Sequence, residues 1–199
     1  MAFHSKEEID QVLSALGEQL AAMKMPPLDL LVCGGSALHA LGLVKRPTKD
    51  VDVVAVLSGT PAKGTVMQTA EPLPPHLVEA ATKVGRDLHL KDGWLNPGPT
   101  AALDLGLPKG VLQRAQTRNY GASLSVRFIS RYDQVHFKLY AAVDQAGKHY
   151  QDLLELSPTA DELEQAARWS MTHDVSEGYK GEVKRILKEM GHPDVAQRL

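Results

Sequence analysis

Ile9, Val12, Leu13, Leu16, Leu20 and Met23 recur at three- and four-residue steps behind a Ser5/Glu8 pair. That pattern predicts an amphipathic helix opened by a capping box. "MPP" ends it, since proline cannot continue the hydrogen-bond ladder. "LDLLVC" (28–33) then reads as a short apolar strand, Gly34-Gly35 turns the chain, and "SALHALGL" is a short helix closed by Gly42. "TKDVDVVAVL" (48–57) alternates and then becomes wholly apolar, as a strand entering a buried sheet does. A Pro/Gly/Thr-rich loop is expected over roughly 58–75, followed by a helix carrying Leu77, Val78, Ala81, Val84 and Leu88. "DGWLNPGP" reads as loop, and "ASLSVRFI" as a strand with Leu124, Val126 and Phe128 on one face.

From Ser130 the period changes to helical. Ser130 caps "SRYDQVHFKLYAAVD", whose stripe is Val135, Leu139, Ala142 and Val143. "HYQDLLEL" is a shorter helix, Thr159 and Glu162 suggest a second capping box for "ADELEQAARWSMTH", and "VSEGYKGEVKRILKEMG" stops at Gly191 and Pro193. The expected fold class is therefore mixed α/β: an α/β core over 1–130 and a helical part over 131–199 packed on it. No internal repeat or low-complexity segment interrupts this layout.

Composition narrows the setting. With 43% apolar and 23% charged residues the chain is globular in character, and its apolar runs are too short for a membrane span. The opening "MAFHSKEEID" goes straight into a charged amphipathic helix, so no signal peptide is expected. The single cysteine, Cys33, excludes an internal disulfide and fits a reducing cytoplasm. It sits in an apolar strand and reads as a small core residue. The net charge of −2 decides nothing, but its distribution does. Between Leu105 and Tyr132 lie Lys109, Arg114, Arg118, Arg127 and Arg131 without one acidic residue. This is either an anion-facing patch, with Lys109, Arg114, Arg118 and Arg127 as candidate nucleic-acid contacts, or a solvated face balanced from elsewhere.

The chemistry concentrates between residues 31 and 55, "LLVCGGSALHALGLVKRPTKDVDVV". A strand feeding Gly34-Gly35-Ser36 and a helix start brings bare backbone N–H groups close to an anion. Asp50 and Asp52, two apart on the next strand, leave the same face. Two neighbouring carboxylates repel unless a cation lies between them or one takes a proton. Magnesium (Mg2+, or Mn2+) is the natural occupant, since it takes hard oxygen ligands and is commonly held by one or two carboxylates plus substrate phosphates. A phosphate cradle beside such a pair suggests a nucleoside triphosphate. Each element also has a plain alternative: Ser36 as a helix cap, Thr48 and the aspartates as turn and edge residues, Trp94 as a loop anchor. The histidines show no paired spacing for zinc.

The order Gly34-Gly35-Ser36, helix, Asp50-Val51-Asp52-Val53 resembles the signature of the DNA polymerase beta-like nucleotidyltransferase superfamily. "GGSALHALGL…RPTKDVDVV" is particularly similar to the minimal bacterial AbiEii-type branch of toxin–antitoxin and phage-defence systems. That branch also carries a "K-L-x-A" helix and a "K-D-x-x-D-L" segment. "HFKLYAAVDQAGKHYQDLLEL" matches these at Lys138, Leu139 and Ala141, then at Lys148 and Asp152-Leu153, with His149 replacing the first acid. The resemblance spans roughly residues 28–156.

It implies a nucleotidyltransferase-like core and transfer of a nucleoside monophosphate to an acceptor hydroxyl. Asp50 and Asp52 would hold the metal, and Gly34, Gly35, Ser36, Thr48 and Lys138 the nucleotide. Asp50, Asp52, Lys138 and Asp152 would be the catalytic set. The implied acceptor is RNA, with the 3′ end of tRNA foremost, and the implied protein partner an antitoxin. A protein or small-molecule acceptor such as an aminoglycoside is the alternative, as is a catalytically silent binding module. One departure matters. Many members place a third carboxylate on a later strand, whereas "ASLSVRFI" carries Arg127 there. Either Asp152 supplies that charge or a second metal is not bound.

Overall fold

The computed structural model describes residues 2–60, 64–145 and 147–199. The chain is mixed α/β and divides into two units, Met1–Ile129 and Ser130–Leu199.

The first unit is built on a mixed sheet. Its strands are β1 (Leu28–Cys33), β2 (Val51–Thr60), β3 (Gly64–Thr69), β4 (Leu95–Asn96), β5 (Gln116–Tyr120) and β6 (Leu124–Phe128). The order is β3-β2-β1-β6-β5, with β4 pairing the start of β2. β1 runs antiparallel to β2 and parallel to β6. One face of the sheet carries Leu30, Val32, Val51, Val53, Val126 and Phe128, all fully buried. They form one cluster with Ile9, Leu13, Leu16 and Leu20 of α1 (Lys6–Ala22) and with Leu77, Ala80 and Val84 of α3 (Pro75–Asp87). This packing supplies most of the stability of such a layer. α2 (Gly34–Ala40), α4 (Ala101–Leu105) and α5 (Val111–Arg114) are short helices between strands. Ser5 caps α1 through the Glu8 amide, but the Glu8 carboxylate accepts from the His4 N–H, so the reciprocal arm of the capping box is displaced by one residue.

Three expectations change here. The loop expected over 58–75 instead holds the end of β2 and all of β3, paired antiparallel from Ala55↔Thr69 to Thr60↔Gly64. Residues 61–63 of that stretch lie outside the described residues. β3 is mostly exposed, and so lacks the apolar alternation that would announce it. β5, a polar edge strand, is hidden for the same reason. "DGWLNPGP" contains β4, a two-residue strand too short to show a period.

The second unit consists of α6 (Arg131–Asp144), α7 (Lys148–Glu155), α8 (Ala160–His173), α9 (Glu177–Glu189) and α10 (Pro193–Arg198). Ser130 caps α6 through the Asp133 amide, and the Thr159/Glu162 capping box has both of its arms. Proline at 193 opens α10 instead of ending the helical part; at a first-turn position its missing N–H costs nothing. Arg131 bridges Glu162 (2.6 Å) to the Leu156 and Ser157 carbonyls, tying α6 to the α7–α8 connection. Burial pushes the Glu162 carboxyl up, but the Arg131 guanidinium and the Thr159 N–H outweigh it and hold the group below its usual range. Trp169 of α8 lies against the rings of His136, Phe137 and Tyr140 of α6 and His173 of its own helix. Among the described residues no helix is long and apolar enough to cross a membrane.

Candidate functional site

α2 (Gly34–Ala40) begins directly after the last residue of β1, so the glycine pair is its first turn rather than a separate loop. Gly34 has φ +70°, a conformation that a side chain strains, and any Cβ there would run into the Asp52 carboxylate. A Cβ on Gly35 would lie 2.6 Å from Thr48 Oγ1. Both glycines are therefore required by close approach. What approaches them is the segment that carries the two aspartates.

That segment is held from several sides. Phe3 and Thr48 exchange backbone hydrogen bonds of 2.6 and 3.0 Å, and the buried His39 of α2 donates from Nε2 to the Arg46 carbonyl at 2.5 Å. Asp52 pairs with Cys33 in the β1–β2 register, which sets its side chain beside the glycine turn. Asp50 immediately precedes β2. Its neighbours Val51 and Val53 point into the core, while Asp50 and Asp52 are half-buried. Thr48 Oγ1, in contact range of Gly35, donates weakly to Asp50 Oδ1 at 3.4 Å. Gly34, Gly35, Thr48, Asp50 and Asp52 thus border one turn. Ser36, fully buried, donates its hydroxyl to the Cys33 carbonyl at 3.3 Å and acts as an internal tie.

Two site residues have no signal in the sequence pattern. Lys91 Nζ lies 2.8 Å from Asp50 Oδ2. Asn96 Nδ2 donates to Asp52 Oδ1 at 2.9 Å, and its own Oδ1 accepts from the Gly98 N–H at 3.0 Å, which fixes the amide orientation. Both come from the stretch that carries β4. The Val51 N–H donates to the Trp94 carbonyl (2.6 Å), and Leu95 and Asn96 pair with Val51 and Asp52. Trp94 itself is buried, its indole N–H donating to the Ala81 carbonyl at 2.9 Å. It anchors the stretch to α3.

The donor set suits a divalent cation of one kind. Among the described residues no group of three or more His, Cys, Asp and Glu side chains converges. Two carboxylates do not cage a metal. They do match Mg2+ as it is bound with nucleotides, where one or two carboxylates are completed by phosphate oxygens and water.

Lys138 and Asp152 lie in the second unit and pair with each other. Nζ and Oδ2 are 2.7 Å apart, with side chains 4% and 0% exposed. Lys138 is therefore not an open phosphate contact but half of a sealed ion pair between α6 and α7.

The basic stretch is largely compensated from distant carboxylates. Arg118 donates to Asp10 of α1 (3.0 Å) and to the Ala40 carbonyl, and its guanidinium lies over the Phe128 ring at 5.3 Å. Tyr120 also donates to Asp10, at 2.6 Å, and burial with that carboxylate pushes its phenol far up. Arg127 makes three hydrogen bonds to Asp29. In the β5–β6 register Arg118 is opposite Val126 and Arg127 opposite Thr117, so the two arginines leave opposite faces of the sheet. Arg114 folds back onto the Lys109 carbonyl at 2.9 Å, while the Lys109 side chain is exposed. The four residues do not form one uncompensated face, because Asp10 and Asp29 are distant in sequence and near in space. Arg118→Glu is accordingly expected to lower the thermal midpoint by setting a carboxylate against Asp10, whereas Lys109→Glu leaves it unchanged. Equal melting curves for both would show that the Arg118 pair is not formed in solution.

Compared with known protein families, curated proteins and solved structures, the chain finds no match.

Proposed function

We propose that this protein is a magnesium-dependent nucleotidyltransferase that moves a nucleoside monophosphate from a triphosphate to an acceptor hydroxyl. The observation that carries this reading is the close approach of Asp52 and Thr48 to the Gly34-Gly35 turn, with Asp50 accepting from Thr48 beside them. A structural turn requires neither two half-buried carboxylates nor two glycines with no room for a Cβ. Asp50 and Asp52 would hold the divalent ion, which when bound neutralises phosphate charge and polarises the α-phosphorus. Gly34 and Gly35, lacking side chains, let the Asp52 carboxylate and the Thr48 hydroxyl sit against the turn. Asn96 keeps Asp52 oriented. The acceptor hydroxyl gives its proton to solvent as its oxygen attacks the α-phosphorus, the bond to the α–β bridging oxygen breaks, and pyrophosphate leaves. Positioning and charge neutralisation carry most of the acceleration in such reactions, so few further groups are needed.

The resemblance to AbiEii-type proteins supports RNA as acceptor, the tRNA 3′ end foremost, and a toxin or phage-defence role in the cytoplasm with an antitoxin partner. Protein or small-molecule acceptors share the same chemistry. A second reading, a catalytically silent nucleotide-binding module, is favoured by one observation: each carboxylate already has an internal partner, Lys91 or Asn96, and among the described residues no third carboxylate joins them.

Incubation with each α-labelled triphosphate, Mg2+ and total RNA or lysate separates these readings. The expected outcome is label on RNA. Label on protein or on an added aminoglycoside moves the acceptor and keeps the chemistry. Triphosphate binding without transfer supports the silent module.

A further inference from the structure

The cation nearest Asp50 is supplied by the protein itself, and its placement points to a competition. Lys91 Nζ is 2.8 Å from Asp50 Oδ2, and the two side chains are 41% and 27% exposed. The pair is thus open enough to part, unlike the sealed Lys138–Asp152 pair. The backbone beneath Lys91 is firmly held: Leu90 N–H donates to the Gly85 carbonyl (2.8 Å) and Trp94 N–H to the Lys91 carbonyl (3.2 Å). Movement is therefore confined to the four-carbon stem. The same side chain lines a cavity of about 590 Å³ between α3 and the stretch 88–95, together with Gly85, Arg86, His89, Asp92 and Trp94. Asp92 brings a carboxylate to that cavity's lining, next to Lys91 in the chain. Asn96, the partner of Asp52, is neutral and fixed at both ends of its amide, so it presents no charge to an incoming ion.

We propose that Lys91 acts as a resident counter-cation on Asp50, which a divalent cation must displace, and that the displaced ammonium withdraws into the adjoining cavity toward Asp92. This rests on the reading of Asp50 and Asp52 as cation ligands and adds to it a residue that sets cation affinity. The physical reason is direct. An ammonium donating to a carboxylate oxygen and a divalent ion ligated by the same carboxylate are like charges within a few ångströms, and each weakens the other. Lys91 is a positioning residue here, not a catalytic one. Its exchange for the metal would keep Asp50 compensated while the site is empty of nucleotide and make cation binding depend on nucleotide, whose phosphates add the ligands that two carboxylates lack.

Mn2+ binding read by the electron paramagnetic resonance signal of the free ion tests this without any activity assay. Wild type, Lys91→Met, Lys91→Arg, Asp50→Asn and the Lys91→Met/Asp50→Asn double variant are titrated with Mn2+, with and without a non-hydrolysable triphosphate. Lys91→Met is expected to bind Mn2+ roughly fivefold tighter, the size of an open ion pair's contribution. Lys91→Arg, which keeps the charge, should stay near wild type, and the gain should vanish in the double variant. The proposal is overturned if Lys91→Met binds Mn2+ no tighter than wild type, if Lys91→Arg gains as much as Lys91→Met, or if the gain survives removal of the Asp50 charge. These outcomes leave the cation site itself standing. If no form binds Mn2+ even with triphosphate, the reading of the carboxylate pair falls, and this inference falls with it.

Discussion

Lys138→Ala is expected to destabilise the C-terminal unit by about 3–5 kcal/mol, because it leaves the fully buried Asp152 carboxylate without its ammonium. The pair lies 2.7 Å apart between α6 and α7, within a helical unit of only residues 130–199, and units that short bury a smaller share of their surface. A loss of that size is a large share of the stability of such a domain. Replacing both partners by apolar residues, Lys138→Met with Asp152→Leu, removes the charge problem and should recover most of the loss. Urea unfolding followed by amide hydrogen exchange in α6 and α7 reads both effects. Exchange in Lys138→Ala within about 0.5 kcal/mol of the parent would mean that the pair is solvated in solution. The double variant also separates two roles. If it folds and still transfers nucleotide, Lys138 is structural, whereas a folded but inactive double variant returns the lysine to the nucleotide site that the family resemblance implies.

What could be read from the chain follows from the range of each signal. The helices with an apolar stripe, α1, α3, α6 and α8, show their period within one window, and their caps at Ser5, Ser130 and Thr159 are local hydrogen-bond chemistry. β1 and β2 are apolar runs that a buried sheet requires. β3 and β5 lie at the two ends of the main strand path and are largely exposed, so neither face had to be apolar and no alternation marks them. The same contrast holds at the candidate site. Gly34, Gly35, Asp50 and Asp52 were legible because backbone access and paired carboxylates are rare in one short stretch. Lys91 and Asn96 were not, since they reach the aspartates only through the β4–β2 pairing, some forty residues along the chain. The basic stretch misled for a related reason. A segment without acidic residues is not an uncompensated surface when Asp10 and Asp29 fold against it.

Asp52→Asn should reduce nucleotide transfer by about 10²–10³-fold, the scale of losing one preorganised electrostatic contact to a reacting group, while leaving the fold intact. The structural half of this expectation rests on Asn96. An asparagine at position 52 still offers a carbonyl oxygen to Asn96 Nδ2, whose orientation is held independently by the Gly98 N–H. It also still fits against Gly34, since the amide and the carboxylate are nearly isosteric. Removing one of two neighbouring negative charges relieves repulsion, so the thermal midpoint should stay level or rise slightly. The functional half rests on charge. A neutral amide is a far weaker ligand for a hard dication than a carboxylate, and with only two carboxylates at the turn no third one compensates among the described residues. Raising Mg2+ should therefore recover part of the lost rate, which a folding defect would not allow. Gly34→Ala is the contrasting change: it keeps both carboxylates but drives a methyl group into the one at position 52 at a strained φ, so fold and transfer should fail together. Unchanged transfer by Asp52→Asn in limiting Mg2+ would leave the aspartates as edge residues of β2 and place the transfer chemistry elsewhere in the molecule.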